Sequence, residues 1–190
     1  MRLIQQPSAA ELERQSRAGI MLSGQGLISQ NYDRLAALGS GGFVAVGGTI
    51  YGVAIPLLAG DVVSNLSVMV TTAGSGVTAS LLGLYDTAGT RLAVSADQGT
   101  AWQSTGLKTV AMTTPYAVPA TGLYYGAIIA TASTTVPAFH RAATNASIAI
   151  NVAVGSGINP IVFMTGQTEL VASATFSAGV GGVCYWVGVS

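Results

Sequence analysis

The chain has 190 residues, half of them apolar, with 25 glycines and only 7% charged side chains. Seven basic and seven acidic residues cancel to a net charge of zero, which argues against a nucleic-acid partner, since gripping phosphates needs a local surplus of Lys and Arg. A single cysteine, Cys184, excludes a disulfide-stapled scaffold, and the apolar content argues against disorder.

The first elements are predicted to be helical. Ser8-Ala-Ala-Glu11 fits a capping box, in which serine oxygen and glutamate each satisfy a free backbone donor. Leu12, Ala18 and Leu22 follow on one thin apolar side until Gly24-Gln-Gly26 ends the helix. A second helix is predicted from Ser29 to Leu38, with Ile28, Tyr32 and Leu35 on one face and Gly39 as its left-handed stop. Arg2, Glu11, Glu13, Arg14, Arg17, Asp33 and Arg34 place seven of the 14 charges in these first 34 residues. That break in composition predicts a boundary at the glycines of Leu38-Gly-Ser-Gly-Gly42. Residues 1–42 then form an arm and residues 43–190 a second unit. Neither helix is long enough to stand alone in water. The favoured reading is an arm that docks on another subunit or protein through Leu12, Leu22, Ile28, Tyr32 and Leu35. Packing on its own domain is the alternative.

Beyond residue 42 the pattern turns to strands. Runs rich in Val, Ile, Thr and Tyr, separated by Gly, Pro, Asn, Asp or Ser, predict strands at 43–46, 49–55, 62–71, 79–85, 91–95, 108–112, 123–132, 147–154, 161–165, 170–176 and 183–189. The clearest hairpin spans Leu82 to Val94, where Asp86 starts the turn and Gly89 takes the position that closes it. Many short strands without intervening helices predict a mainly β fold, an antiparallel β-sandwich of jelly-roll type with a short helical N-terminal arm.

A mean hydropathy of +0.57 raises the question of a membrane. The most apolar stretch, Gly122–Ala132, is about half the roughly 20 residues a spanning helix needs. The start, Met1 to Glu11, carries polar residues and reaches acidic Glu11 where an export signal needs an apolar core. The expectation is a chain made in the cytoplasm, with no membrane partner.

Side chains for catalysis are few. His140 is the single histidine, and a triad would draw on it with Asp61, Asp86, Asp97 or Glu169. No Gly-x-Ser-x-Gly elbow occurs, Asp86 and Asp97 read as turn residues, and nothing pairs two carboxylates for glycoside hydrolysis. One His and one Cys cannot build a zinc site, and the Gly-rich runs lack the Lys-Ser/Thr of a phosphate loop. Cys184, among Val183, Tyr185 and Val187, reads as an inert buried thiol. No enzyme, cofactor or metal is expected. Trp102, in the loop-like Asp97–Gly106, either closes one end of the sandwich or stacks on a host-surface glycan.

A soluble monomer spends about a quarter of its residues on charge. A chain at 7% is expected to bury its faces in a permanent homo-oligomer, with a homotrimer preferred.

Ala59-Gly-Asp61 before a long strand, Leu84-Tyr-Asp-Thr-Ala-Gly89 at a hairpin and Pro119-Ala-Thr-Gly-Leu-Tyr-Tyr125 entering a central strand lie within residues 50–70, 84–97 and 113–126. These phrases resemble β-sandwich virion proteins of tailed bacteriophages, particularly those infecting actinobacteria. The resemblance spans roughly residues 43–190 and carries no catalytic residue. It implies a virion structural role: a capsid decoration protein or head fibre bound through its arm to the major capsid protein or another virion protein. A minor tail or tail-tip protein binding host glycans is the alternative it implies.

Overall fold

The computed structural model describes residues 26–32, 42–141, 161–178 and 184–190. The predicted helix over 8–22, with Leu12 and Leu22, lies outside the described residues, as do Leu35 and the strand predicted at 147–154. The first half of the described chain forms β1 (Ser29–Gln30), β2 (Phe43–Val44), β3 (Ile50–Leu57), β4 (Val62–Thr72), β5 (Ser75–Tyr85) and β6 (Arg91–Val94). The second half forms β7 (Gly106–Ala117), β8 (Gly122–Thr135), β9 (Ala138–Phe139), β10 (Ile161–Met164), β11 (Ser177–Ala178) and β12 (Gly188–Val189).

These strands make two antiparallel sheets, as a β-sandwich does. The back sheet runs β11-β10-β3-β8-β5-β6. In the front sheet β4 is central: β7 lies along one edge, while β12 and then β9 share the other, followed outward by β1 and β2. Three of the pairings are nested: β5 with β6, β4 with β7 and β3 with β8. The segment 50–135 is therefore one long ribbon whose tip is the β5–β6 turn, rolled so that successive rungs fall in alternate sheets.

Strand alternation explains the core between the sheets. Val53, Ile55 and Leu57 on β3, Leu82 and Leu84 on β5 and Ile128 on β8 meet Leu66, Val68 and Val70 on β4 and Phe139 on β9, all fully buried. Each such side chain contributes about 1.5–3 kcal/mol by leaving water. The back sheet also buries its outer face. Ile50, Tyr85, Tyr125, Ala127, Ile129 and Val162 form a second apolar cluster with Leu170 and Ala174. Phe176 wedges edge-on between Tyr85 and Tyr125, with ring centroids at 5.4 and 5.8 Å. Burial on both faces explains why Tyr124–Ala130 is buried without a break.

The stretch 170–176 is thus a covering segment and not the predicted strand; only Ser173 makes an isolated bridge, to Thr90. Hydrogen bonds fix it to the hairpin edge. Tyr85 Oη donates to Val171 O (2.8 Å), Arg91 N to Ala172 O (2.9 Å), Ala174 N to Gly89 O (2.8 Å), and Arg91 Nη1 to Leu170 O. The hairpin turn is built as its residues predict. Asp86 Oδ1 accepts from Ala88 N (3.0 Å) and Thr90 N (2.8 Å), and Gly89 has φ +90°.

Candidate functional site

The residues with chemical potential are scattered. Among the described residues no three His, Cys, Asp or Glu side chains gather into a metal-binding group. Asp86 and Asp97 are occupied in turns, Asp97 Oδ1 accepting from Ser80 N and Gly99 N, both at 3.0 Å. Asp61 is buried and accepts from Leu58 N at 2.8 Å, closing the Ala59–Gly60 turn. Partly buried His140 follows β9, its backbone held between Met69 O and Trp186 N. A shallow cleft of about 280 Å3 lies between β6 and β7, lined by Arg91, Leu92, Ala93, Val94, Thr113 and Thr114. Its lining holds one cation and two hydroxyls but no nucleophile beside a base. No helix among the described residues is long and apolar enough to cross a membrane.

Trp102 sits in a single turn of 3-10 helix (Ala101–Gln103) with its ring fully buried, edge-on to Phe139 at 5.1 Å. A ring with no exposed face cannot stack on a sugar, so Trp102 closes the end of the sandwich. Of the two readings of Trp102, the buried ring fits the one that closes the sandwich and not the glycan contact.

The most elaborate polar constellation joins residues 26–32 to 184–190. β12 is inserted between β1 and β4, with Ser29 opposite Val189 and Gly188 opposite Ser67. Asn31 replaces a strand neighbour by side-chain bonds: its Nδ2 donates to Tyr185 O at 2.7 Å while its Oδ1 accepts from Val187 N at 2.9 Å. Trp186 Nε1 donates to Gln30 Oε1 (3.1 Å), Tyr32 Oη to Cys184 O (3.4 Å), and Ser29 Oγ to Pro56 O. Tyr185, fully buried, spans the sandwich and places its Oη 2.8 Å from both Tyr51 O and Gly126 O of the back sheet. Stacking on Phe43 at 6.0 Å fixes its ring. Burial pushes the Tyr32 hydroxyl up from its ordinary range, and it raises the Cys184 thiol to about 11 against a weaker opposing hydrogen bond from Asn31.

Of the residues predicted to form a docking arm, the two described ones therefore sit on their own domain. Ile28 packs on the core between the sheets, and Tyr32 reaches the 184–190 segment. Ser29 and Gln30 are strand and not the predicted start of a helix. Their ladder partners lie about 160 positions away, where no local pattern could reveal them. Sequence reasoning missed Asn31 and Tyr185 for the same reason.

No protein-family model, curated protein or solved structure matches this chain.

Proposed function

We propose that the protein is a non-enzymatic structural component of a tailed-phage virion, a capsid decoration protein or head fibre, assembled as a homotrimer and attached through its N-terminal residues. The carrying observation is that the side chains of the described residues, those of 26–32 included, serve the packing and turns of a sandwich. Residues 1–25 hold five of the 14 charges, Arg2, Glu11, Glu13, Arg14 and Arg17. Sequence phrases resembling phage virion sandwiches support the reading. So does the nested ribbon of strands, which is how a jelly roll is wound. Of the expected docking residues, Leu12, Leu22 and Leu35 remain for the proposed contact, because residues 26–32, with Ile28 and Tyr32, are committed to the sandwich. Mass spectrometry of purified, fractionated phage particles tests this. The chain is expected in the capsid fraction at high copy, and its absence from particles overturns the reading.

A further inference from the structure

The cleft of about 280 Å3 between β6 and β7 is walled by two strands that each break their ladder at its lining residues. On β6, Ala93 pairs with Leu84 and Arg91 with Tyr85, so Leu92 is an extra residue. On β7, Tyr116 pairs with Val63 and Ala111 with Asn65, so the stretch from Met112 to Pro115 stands opposite Ser64 alone. Met112 bridges instead to Ser95, just beyond the end of β6. Thr113 and Thr114 are thereby carried off β4 and set beside Arg91, Leu92 and Val94. Bulges bend a strand and re-aim its side chains, and they gather beside functional sites. Here two independent ones meet across one cleft.

The groups assembled there have one chemical sense. Arg91 is half-buried, and its described side-chain bond, from Nη1 to Leu170 O, anchors the guanidinium. The other N–H donors of its fork have no partner among the described residues, and neither do the exposed hydroxyls of Thr113 and Thr114. No carboxylate lines the cleft; Glu169, which like Arg91 acts on the Tyr85 hydroxyl, lies outside the lining. A guanidinium fork matches the paired oxygens of a carboxylate, and a hydroxyl can both donate to and accept from another hydroxyl. Leu92, Ala93 and Val94 supply an apolar wall for the carbon skeleton between such groups. The volume lies just under the roughly 300–1,000 Å3 of common ligand pockets, which suits one small ring. We propose that the cleft binds a small hydroxylated carboxylate, a molecule of uronic-acid size and chemistry. The inference goes beyond the structural role above and does not depend on it.

The test titrates the full chain with glucuronate and follows backbone amide shifts by NMR. Saturable shifts are expected at Leu92, Val94, Thr113 and Thr114. Glucose, which lacks the carboxylate, and acetate, which lacks the hydroxyls, are each expected to bind about tenfold more weakly. Arg91→Lys keeps the charge but loses the fork, so it is expected to weaken glucuronate binding about tenfold. Because Arg91 also holds Leu170, a second variant combines Thr113→Val with Thr114→Val at exposed positions. It is expected to weaken binding about tenfold with unchanged circular dichroism. The absence of saturable shifts at these residues overturns the proposal. Acetate binding as tightly as glucuronate also overturns it, by reducing the site to an adventitious ion only. So does full affinity in the double threonine variant.

Discussion

Replacing Gly89 by alanine strikes the hairpin turn and the segment covering the back sheet together. At φ +90° a side chain is strained, which costs about 1–2 kcal/mol. The added Cβ would also overlap the carbonyl oxygen of Ala174 and lie 3.1 Å from its carbon. Backbone must move, and the bond from Ala174 N to Gly89 O breaks, a further loss of about 0.5–1.5 kcal/mol. Gly60 supplies the control, because its φ is +86° yet a Cβ there meets nothing within 4 Å. Both alanines gain the same stabilisation, about 0.4–1 kcal/mol, from a stiffer unfolded chain. Gly89→Ala is therefore expected to lose about 2 kcal/mol in urea unfolding and Gly60→Ala about 1 kcal/mol. Hydrogen exchange at the Ala174 amide is expected to accelerate only in Gly89→Ala. Equal losses in the two variants would refute the idea that the covering segment presses on the turn.

Tyr185→Phe keeps the packing and removes the hydroxyl that ties the sheets, so a loss of about 1–3 kcal/mol is expected by chemical denaturation. Trp102→Phe removes an indole N–H that has no partner, so its cost comes from lost volume, read as a lower Tm with unchanged circular dichroism. The Cys184 thiol, raised to about 11 in the fold from an ordinary 9.0, resists iodoacetamide at pH 8. The sign of the linkage follows: stability from keeping this thiol neutral is complete below pH 9 and is lost as pH rises through 11, measurable as a steeper fall of Tm in Cys184 protein than in Cys184→Ala, where the buried tyrosines alone titrate. Deleting residues 1–25 is expected to leave the proposed assembly intact and to abolish the proposed attachment to particles, read by light scattering and co-sedimentation.

Much of the fold was legible because its local chemistry agrees with its tertiary role. Asp86 and Gly89 announce the hairpin, and Val, Ile and Tyr mark β3, β4 and β8. The structure extends β5 back to Ser75 and β7 on to Ala117, where exposed Thr, Ser and Gly carry no apolar alternation. Leu170, Ala174 and Phe176 have the composition of a strand. What makes them a cover is the apolar outer face of Tyr125, Ala127 and Ile129, a long-range fact. Trp102 lies in a run whose one apolar neighbour in sequence is Ala101, so its burial against Phe139 was equally hidden. Of the expected arm, Ile28 and Tyr32 went to the sandwich because residues 184–190 offer them a ladder and a carbonyl.

The nested ribbon sets an order in which the chain can close. Pairing β5 with β6 needs only the short turn at 86–89; once made, it brings β4 near β7, and that pair brings β3 near β8. Each step then closes a small effective loop, so the entropy of ordering is met in instalments as a zipper running outward from Asp86. The pairing of Ser29 with Val189 has no such help. Closing a flexible loop of about 160 residues outright costs roughly 4 kcal/mol from its length alone. β1 and β12 are therefore expected to join last, on a front sheet already standing, and to be the first to part when the protein is stressed.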